Sequence, residues 1–393
     1  MFDLLFPSRP RPAAAMMDLA RRKTGLTDFG PQPVEEALDQ LQASCHAEAN
    51  LSLFGRISTH WDNLRLLKNL LILRDRELAD PAILERPIEQ PIFVMGVPRS
   101  GTSFLHALLA EDEATLAPRC WQVIYPYPDH PAAGRGAGPR LVQRQFDFFN
   151  RLAPELRNLH PFDAETPQEC TDITAHSFQS TRFEITYDVP SYRPWLSRKG
   201  HRDAYRFHRR FLQHLQGSAG GRWVLKSPDH VFAMEALREV YPDARIVFSH
   251  RDPLKVLPSL ARLTEVLRRP FARRVDRAAI GRQITGDWAM GVEQMMMAQS
   301  ARLWPADRVF HVRYREVTAD PVGTIQRLYD HFGMELTPRY RDRLVNRVVG
   351  NPDGGYGRNV YRFETFGLNA GEERERYRSY MRHFDVEEEV AVS

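Results

Sequence analysis

Residues 92–103 have the sequence IFVMGVPRSGTS, and this stretch decides the fold. Its first four residues, Ile92 to Met95, form a continuous apolar run, which is typical of a parallel strand buried on both faces. A glycine-containing loop follows and leads directly into a helical pattern from Phe104 to Leu109. Strand, loop and helix in this order predict a phosphate-binding loop, because the N–H groups at the start of the helix can face one anion.

The side chains of this loop suit a single terminal phosphate group. The glycine spacing matches that of the nucleotide-triphosphate loop, but Thr102 stands where that loop has its lysine. The basic residue comes earlier instead, at Arg99. An ordinary tight turn would not explain an arginine together with three hydroxyls. The residues that we predict to bind phosphate are Arg99, Ser100, Gly101, Thr102 and Ser103.

Three more apolar runs, at 223–225, 246–248 and 309–312, predict three further strands. Helical patterns separate them, and this alternation predicts an α/β fold with a central parallel sheet flanked by helices. We expect residues 1–88 to be an N-terminal unit packed on the main domain, 89–393. It would consist of a Pro- and Arg-rich lead-in of about 30 residues and two helices, the second capped by Ser58.

Two further groups of polar residues follow the predicted second and third strands. Lys226 ends the second strand and His230 lies four residues later; Arg251 follows the third strand, with Ser259 two helical turns beyond it. Taken singly, Arg251 could pair with Asp252 or another acid. Ser227 or Asp229 could simply cap the next helix. Because open α/β sheets bind ligands at the carboxyl edge of their strands, we expect all three groups at one site.

Together these segments resemble a known family. PRSGTS (98–103), WVLKSPDH (223–230) and RIVFSHRDPLKVLPSL (245–260) are similar to the sulfotransferases that use 3′-phosphoadenosine 5′-phosphosulfate (PAPS), most closely to their broad bacterial branch. The resemblance runs from about residue 91 to 384. It implies a P-loop-like nucleotide-binding fold and PAPS as co-substrate, with no metal needed.

The resemblance also implies a role for each group. The loop would hold the 5′-phosphosulfate, Arg251 and Ser259 would hold the 3′-phosphate, and Lys226 would steady the sulfuryl group or the bridging oxygen. Two further nucleotide contacts are implied, by Phe104 against adenine and by Arg358 in a glycine-rich closing loop.

The general base is the open point. Pro228 and Gln122 occupy the positions where two related branches have their base. Glu169 is our predicted base, because the bacterial branch has a similar Pro-x-Glu-Cys segment in its substrate region. If Glu169 opens a helix, His176 seven residues later would share its face; alternatively, Glu169 would only complement a helix N-terminus. The rival bases are His176, Glu165 and His230.

The acceptor pocket is predicted between the first two strands, where aromatic residues concentrate. They are Tyr125, Tyr127, Phe146, Phe148, Phe149, Phe162, Phe178, Phe183, Tyr187, Tyr192 and Trp195. Most of them would be core residues. Their density nevertheless favours an apolar or aromatic small-molecule acceptor such as a lipid, a polyketide or a phenol.

Composition narrows the function classes. The chain has 393 residues, of which 42% are hydrophobic, and a net charge of +4, which is an ordinary composition for a globular protein. We expect no membrane span and no nucleic-acid-binding face. We expect no signal peptide, and three scattered cysteines favour the cytoplasm. The sequence contains no metal-ligand pattern. We expect His208 and His214 to be exposed to solvent, and likewise the arginine-rich stretch 262–282. The sequence does not decide whether the protein forms a homo-oligomer.

Two other functions also stay open. The first is a small-molecule kinase of the P-loop class, against which stand Thr102 and the lack of a clear magnesium-binding aspartate. The second is a nucleotide-binding scaffold without catalysis, which the replaced standard bases would favour.

Overall fold

The computed structural model describes residues 11–217, 220–350 and 362–389, whose strands form a five-stranded parallel sheet with helices on both faces. The strands are β1 (Ile92–Gly96), β2 (Thr115–Leu116), β3 (Arg222–Lys226), β4 (Arg245–His250) and β5 (Val309–Arg313). Their order is β2-β3-β1-β4-β5. The predicted fold class and the four predicted strands are confirmed. The fifth, β2, has two residues, too few to show a hydrophobic period.

The helices before β3 are α1 (Ala13–Thr24), α2 (Val34–Ala47), α3 (Leu53–Ala79), α4 (Thr102–Leu109), α5 (Cys120–Ile124), α6 (Pro139–Leu152), α7 (Leu156–Leu159), α8 (Cys170–Thr174), α9 (Arg182–Thr186), α10 (Tyr192–Lys199) and α11 (Arg202–Gln216). Those after β3 are α12 (Met234–Val240), α13 (Pro253–Arg268), α14 (Arg277–Ser300), α15 (Tyr314–Ala319), α16 (Pro321–His331), α17 (Pro338–Gly350), α18 (Ala370–Arg376) and α19 (Arg378–His383). None of these helices is both long and apolar enough to cross a bilayer.

The sheet is buried on both faces because its strands alternate between two cores. In β1, Phe93 and Met95 pack into a core that includes the N-terminal helices α1–α3. Ile92 and Val94 point to the opposite core, which contains residues of α4, α16 and α17. This double burial explains the uninterrupted apolar run of β1, and it leaves the carboxyl edge of the sheet as the open end.

The N-terminal segment is better packed than its composition indicates. The expected loose lead-in contains helix α1, in which Ala13, Met16 and Ala20 are buried, at 0%, 1% and 0% exposure. Small side chains at this helical spacing allow close packing, and the surrounding arginines concealed the pattern. The predicted cap of the second helix is also wrong: α3 begins after Ser52, whose hydroxyl accepts a hydrogen bond from the Gly55 N–H (3.0 Å).

Two histidines that were expected in solvent are buried. His214 lies between Glu77 (3.0 Å) and the Tyr127 hydroxyl (2.8 Å), and His208 bonds the Tyr241 hydroxyl (2.7 Å). Burial lowers the pKa of His208 to about 3, so it is neutral.

Arg268, in the arginine-rich stretch, is 3% exposed. Its guanidinium donates to Asp188 (3.1 Å) and to Gln283 (2.8 Å). The prediction of a solvated arginine face is therefore wrong for Arg268, because the fold brings partners from other segments to its guanidinium.

Candidate active site

The loop after β1 is tied to the end of β4. The Val97 N–H donates to the Ser249 carbonyl (3.2 Å), and the Ser249 hydroxyl donates to the Ser100 carbonyl (2.8 Å). Gly96 has φ +124°, and a Cβ at this position would lie 2.3 Å from the Ser249 carbonyl oxygen. The close approach of two backbones therefore requires glycine at 96.

The loop opens at the start of α4. Gly101, in the left-handed region with φ +85°, precedes the helix and offers no side-chain cap, so the first N–H groups can serve an anion. Thr102 and Ser103 line a cavity at this point. The predicted hydroxyl donor Ser100 is used differently, because its hydroxyl is fully buried and donates to the Val97 carbonyl (2.5 Å).

Lys226 connects this loop to Glu169. At the end of β3, its side chain is 2% exposed, and its Nζ donates to Ser103 Oγ (2.9 Å) and to Glu169 Oε1. Burial opposes ionisation of Glu169, but the Lys226 charge and a contact with His160 Nε2 (3.8 Å) outweigh it. They hold the pKa of Glu169 well below its ordinary range. Glu169 is therefore a carboxylate in direct contact with a cation.

The second predicted anion group also assembles. Arg251 Nη1 donates to the Arg99 carbonyl (2.7 Å), and Arg99 Nε donates to Ser259 Oγ (3.1 Å). The guanidinium of Arg251 stacks on Tyr314, 3.6 Å from the ring centre. Sequence reasoning missed Tyr314, although it directly follows β5 at the same edge of the sheet. The edge rule that found Lys226 would have found it.

The rival bases lie elsewhere. His176 does not share a helix face with Glu169, since α8 ends at Thr174; it bonds Asn69 (3.0 Å), and burial lowers its pKa to about 3. His230 bonds the Tyr205 hydroxyl through Nδ1, and burial likewise lowers its pKa. Neither lines the cavity.

The remaining predicted residues lie apart from this cluster. Glu165, the third rival base, has a side chain that is 54% exposed and pairs with Arg119 (2.6 Å). Phe104 packs against the core on the second face of the sheet and does not line the cavity. Arg358 and its glycine-rich loop lie outside the described residues.

A cavity of about 710 Å³ adjoins Glu169 and the loop. Much of its wall is aromatic: Phe54, Trp61, Phe146, Phe148, Phe149, Phe162, Tyr187, Phe271 and Trp288. Phe271 is central, with ring centres 5.8 Å from Phe54 and 5.7 Å from Phe149. Trp61 and Phe148 are 46% and 50% exposed. Half-exposed aromatic rings give this cavity an apolar surface.

Another part of the cavity wall is charged. Glu184 pairs with Arg193 (2.8 Å), which also contacts Asp287 (3.3 Å). Burial raises the pKa of Glu184 to about 8 and that of Asp229 to about 6, although Arg193 acts in the opposite direction on both. The cavity therefore combines an apolar surface with one buried carboxyl group, Glu184, whose raised pKa favours the protonated form at neutral pH. Nothing in the sequence pattern indicated this cluster.

Within the described ranges, no group of three or more His, Cys, Asp or Glu side chains could hold a metal ion. At the carboxyl edge of the sheet, Lys226, Arg99 and Arg251 contribute cationic side chains.

Several mycobacterial sulfotransferases are similar to this chain. Sulfotransferase STF1 from Mycobacterium tuberculosis H37Rv has 29% identity and a TM-score of 0.80, with 93% of this chain and 98% of that chain covered. Sulfotransferase STF9 from Mycobacterium avium has 27% identity and a TM-score of 0.84, covering 95% and 97%. Omega-hydroxy-beta-dihydromenaquinone-9 sulfotransferase Stf3 of Mycobacterium bovis is 25% identical over 306 residues, 74% of this chain and 73% of that protein.

The family model described as "Sulfotransferase family" matches residues 91–338, which contain the phosphate loop, Lys226 and Arg251. This match agrees with the resemblance found in the sequence and with the two solved structures, and the kinase and scaffold alternatives have no comparable support. The chain therefore belongs to the sulfotransferase family, whose co-substrate is PAPS.

Proposed function

We propose that this enzyme transfers a sulfuryl group from PAPS to a hydroxyl on a largely apolar acceptor, with Glu169 as general base. The observation that carries the proposal is the position of Lys226, hydrogen-bonded both to Ser103 of the phosphate loop and to Glu169 on the wall of the aromatic cavity. One cation thus joins the predicted donor side to the predicted acceptor side.

The residues at the sheet edge fit the donor. PAPS would supply the sulfuryl group and an anionic nucleotide as leaving group. The N–H groups of the loop and Arg99 suit its 5′ end, and Arg251 with Ser259 suits the 3′-phosphate. When the donor binds, Lys226 would turn to the departing oxygen and neutralise the negative charge that builds up there. Glu169 would then lose the cation that lowers its pKa, regain basicity and accept the proton of the acceptor hydroxyl.

The cavity supports an apolar acceptor. Rings such as Phe54 and Phe271 offer a surface for a chain or a ring system, while Glu169 marks the place for the reacting hydroxyl. The relative Stf3 acts, by its name, on omega-hydroxy-beta-dihydromenaquinone-9, which is consistent with a lipid-like acceptor here. We also propose a cytoplasmic location, supported by three cysteines that are all free and buried.

Nucleotide binding gives the first test of the function. Adenosine 3′,5′-bisphosphate (PAP) should raise the unfolding midpoint by several degrees, because a ligand at a hundred times its Kd stabilises by about 2.7 kcal/mol. Thermal unfolding with PAP, AMP and ATP plus Mg²⁺ is the measurement. AMP should shift the midpoint less than PAP, since it lacks the phosphate for Arg251. A shift with ATP–Mg²⁺ and none with PAP would contradict the proposal.

The acceptor class is tested at Phe148. Because this ring is half exposed at the cavity, Phe148→Ala should raise KM for long-chain primary alcohols by about 5–30-fold, as loss of about 1–2 kcal/mol of apolar contact implies. PAP affinity and the unfolding midpoint should change little. The assay measures sulfation of primary alcohols of increasing chain length with PAPS.

Leu152→Ala is the matched control for Phe148. Leu152 lies one helical turn further along α6, is 38% exposed and does not line the cavity, so its loss should leave KM unchanged. Equal KM values for the wild type and Phe148→Ala, or turnover of short alcohols only, would contradict the apolar acceptor.

A further inference from the structure

The segment 385–389, which we name the acidic tail, carries four acidic residues among its five. It follows α19 and lies beside the ends of β4 and β5. Every acidic side chain in it pairs with an arginine. The pairs are Asp385–Arg313 (2.9 Å), Glu387–Arg315, Glu388–Arg374 (3.6 Å) and Glu389–Arg251 (2.9 Å). The last of these arginines is the predicted ligand of the 3′-phosphate.

Glu389 binds Arg251 as an oxyanion ligand would. Arg251 Nε donates to Oε1 (2.9 Å) and Nη2 donates to Oε2 (3.1 Å), which is the two-bond geometry that guanidinium uses for carboxylate and phosphate alike. The remaining nitrogen, Nη1, is bonded to the Arg99 carbonyl (2.7 Å). The carboxylate therefore uses the two-nitrogen edge of Arg251 that a phosphate would need.

Among the ion pairs of the acidic tail, the pair between Glu389 and Arg251 is the least exposed to solvent. Both side chains are less than a fifth exposed, at 17% and 19%. The carboxylates of Glu387 and Glu388 are 66% and 71% exposed, and exposed pairs of this kind contribute little.

The backbone supports the same placement. The Glu389 N–H donates to Asp252 Oδ2 (2.8 Å), the residue that also caps α13. Val386, 9% exposed, belongs to the core and donates its N–H to the Met381 carbonyl (2.8 Å). The tail is thus anchored at Val386, and its far end lies directly on the nucleotide site.

We infer that Glu389 is an internal competitor for the 3′-phosphate of the donor. This inference rests on the sulfotransferase function proposed above. In the free enzyme the carboxylate occupies Arg251, and binding of a nucleotide with a 3′-phosphate displaces it. The apparent affinity for PAP is then the intrinsic affinity multiplied by the fraction of molecules in which the tail is released. Nucleotides without a 3′-phosphate do not meet this competition.

The test is the affinity of PAP and of AMP for three proteins, measured by calorimetry. Glu389→Ala should bind PAP about three- to tenfold more tightly than the wild type, as removal of a sheltered competing ion pair implies. Its affinity for AMP should be unchanged. Glu388→Ala is the matched control, since Glu388 faces Arg374 and should leave both affinities as in the wild type.

Hydrogen exchange gives a second readout. PAP should accelerate amide exchange in residues 385–389 of the wild type, and AMP should not.

Each contrary outcome has its own meaning. Equal or weaker PAP binding by Glu389→Ala would overturn the inference and leave the proposed function intact. Tighter binding of both PAP and AMP by Glu389→Ala would also overturn the inference, because the tail would then cover the whole nucleotide site. A failure of PAP to bind the wild type and Glu389→Ala would instead reject the proposed donor site, and the competition with it.

Discussion

Glu169→Gln is expected to lower kcat by a factor of about 10²–10⁴, the usual range for loss of a general base. Glutamine keeps the size of the side chain and can still accept a hydrogen bond from Lys226, but it cannot take a proton at neutral pH. Steady-state sulfation of the best primary alcohol gives kcat. PAP affinity should stay the same or increase, because the change removes a negative charge next to the anion site.

Glu165→Gln is the matched control. Glu165 lies four residues earlier in the same segment, but its side chain is 54% exposed and faces Arg119. We expect wild-type kcat from this variant. Undiminished kcat in Glu169→Gln would show that another group accepts the proton. A loss of PAP binding in Glu169→Gln would show that Glu169 organises the donor site instead.

The donor side of the site could be predicted because it follows a local rule. Apart from Ser259, which lies in the second turn of α13, each residue there comes soon after an apolar strand or at the start of the next helix. Parallel strands bring their carboxyl ends to one edge. Lys226 and Ser103 are 123 residues apart in sequence and 2.9 Å apart in space. The same rule places Arg251 against the loop.

For the acceptor side, the sequence showed only that one region is rich in aromatic residues. The aromatic concentration between β1 and β3 was visible, but Phe54 and Phe271, which stack at the centre, come from segments outside it. Helical periodicity also misplaced His176, because α8 stops after five residues and its end could not be seen in the sequence. Glu389 lies 138 residues from Arg251, and no local pattern connects them.

Lys226→Ala is expected to lower kcat by about 10²–10³-fold, the effect of removing one donor to a developing negative charge. PAP should still bind through Arg251 and the loop, though more weakly. Lys199→Ala is the control for loss of a lysine, because Lys199 pairs at the surface with Glu36 (2.6 Å) and does not line the cavity. Unchanged kcat in Lys226→Ala would contradict the role of Lys226.

Lys226→Ala should also destabilise the fold, because it leaves the Glu169 carboxylate without its cation. We expect the free energy of unfolding to fall by roughly 1–3 kcal/mol, which is less than the loss expected when a fully buried ion pair is broken. The reason is that the Glu169 side chain remains 21% exposed. Adding Glu169→Gln removes the stranded charge. The double variant should therefore regain most of the lost stability, measured by denaturant unfolding, while kcat stays low.

The loss of stability in Lys226→Ala should depend on pH, because it arises from the ion pair between Lys226 and Glu169. Burial is the largest influence on the pKa of Glu169, and without Lys226 only His160 opposes it. We therefore expect the pKa of Glu169 in the variant to rise above its unfolded value of 4.5, so that the folded state prefers the protonated acid. The unfolded chain then binds fewer protons than the folded one, and stability falls as pH rises from 4.5 through the raised pKa. Lys226→Ala should thus lose more stability relative to the wild type at pH ~8 than at pH ~5, whereas the double variant should show no such trend. A pH-independent loss would mean that His160 alone suffices to keep the carboxylate ionised, and that Lys226 is not the dominant partner of Glu169.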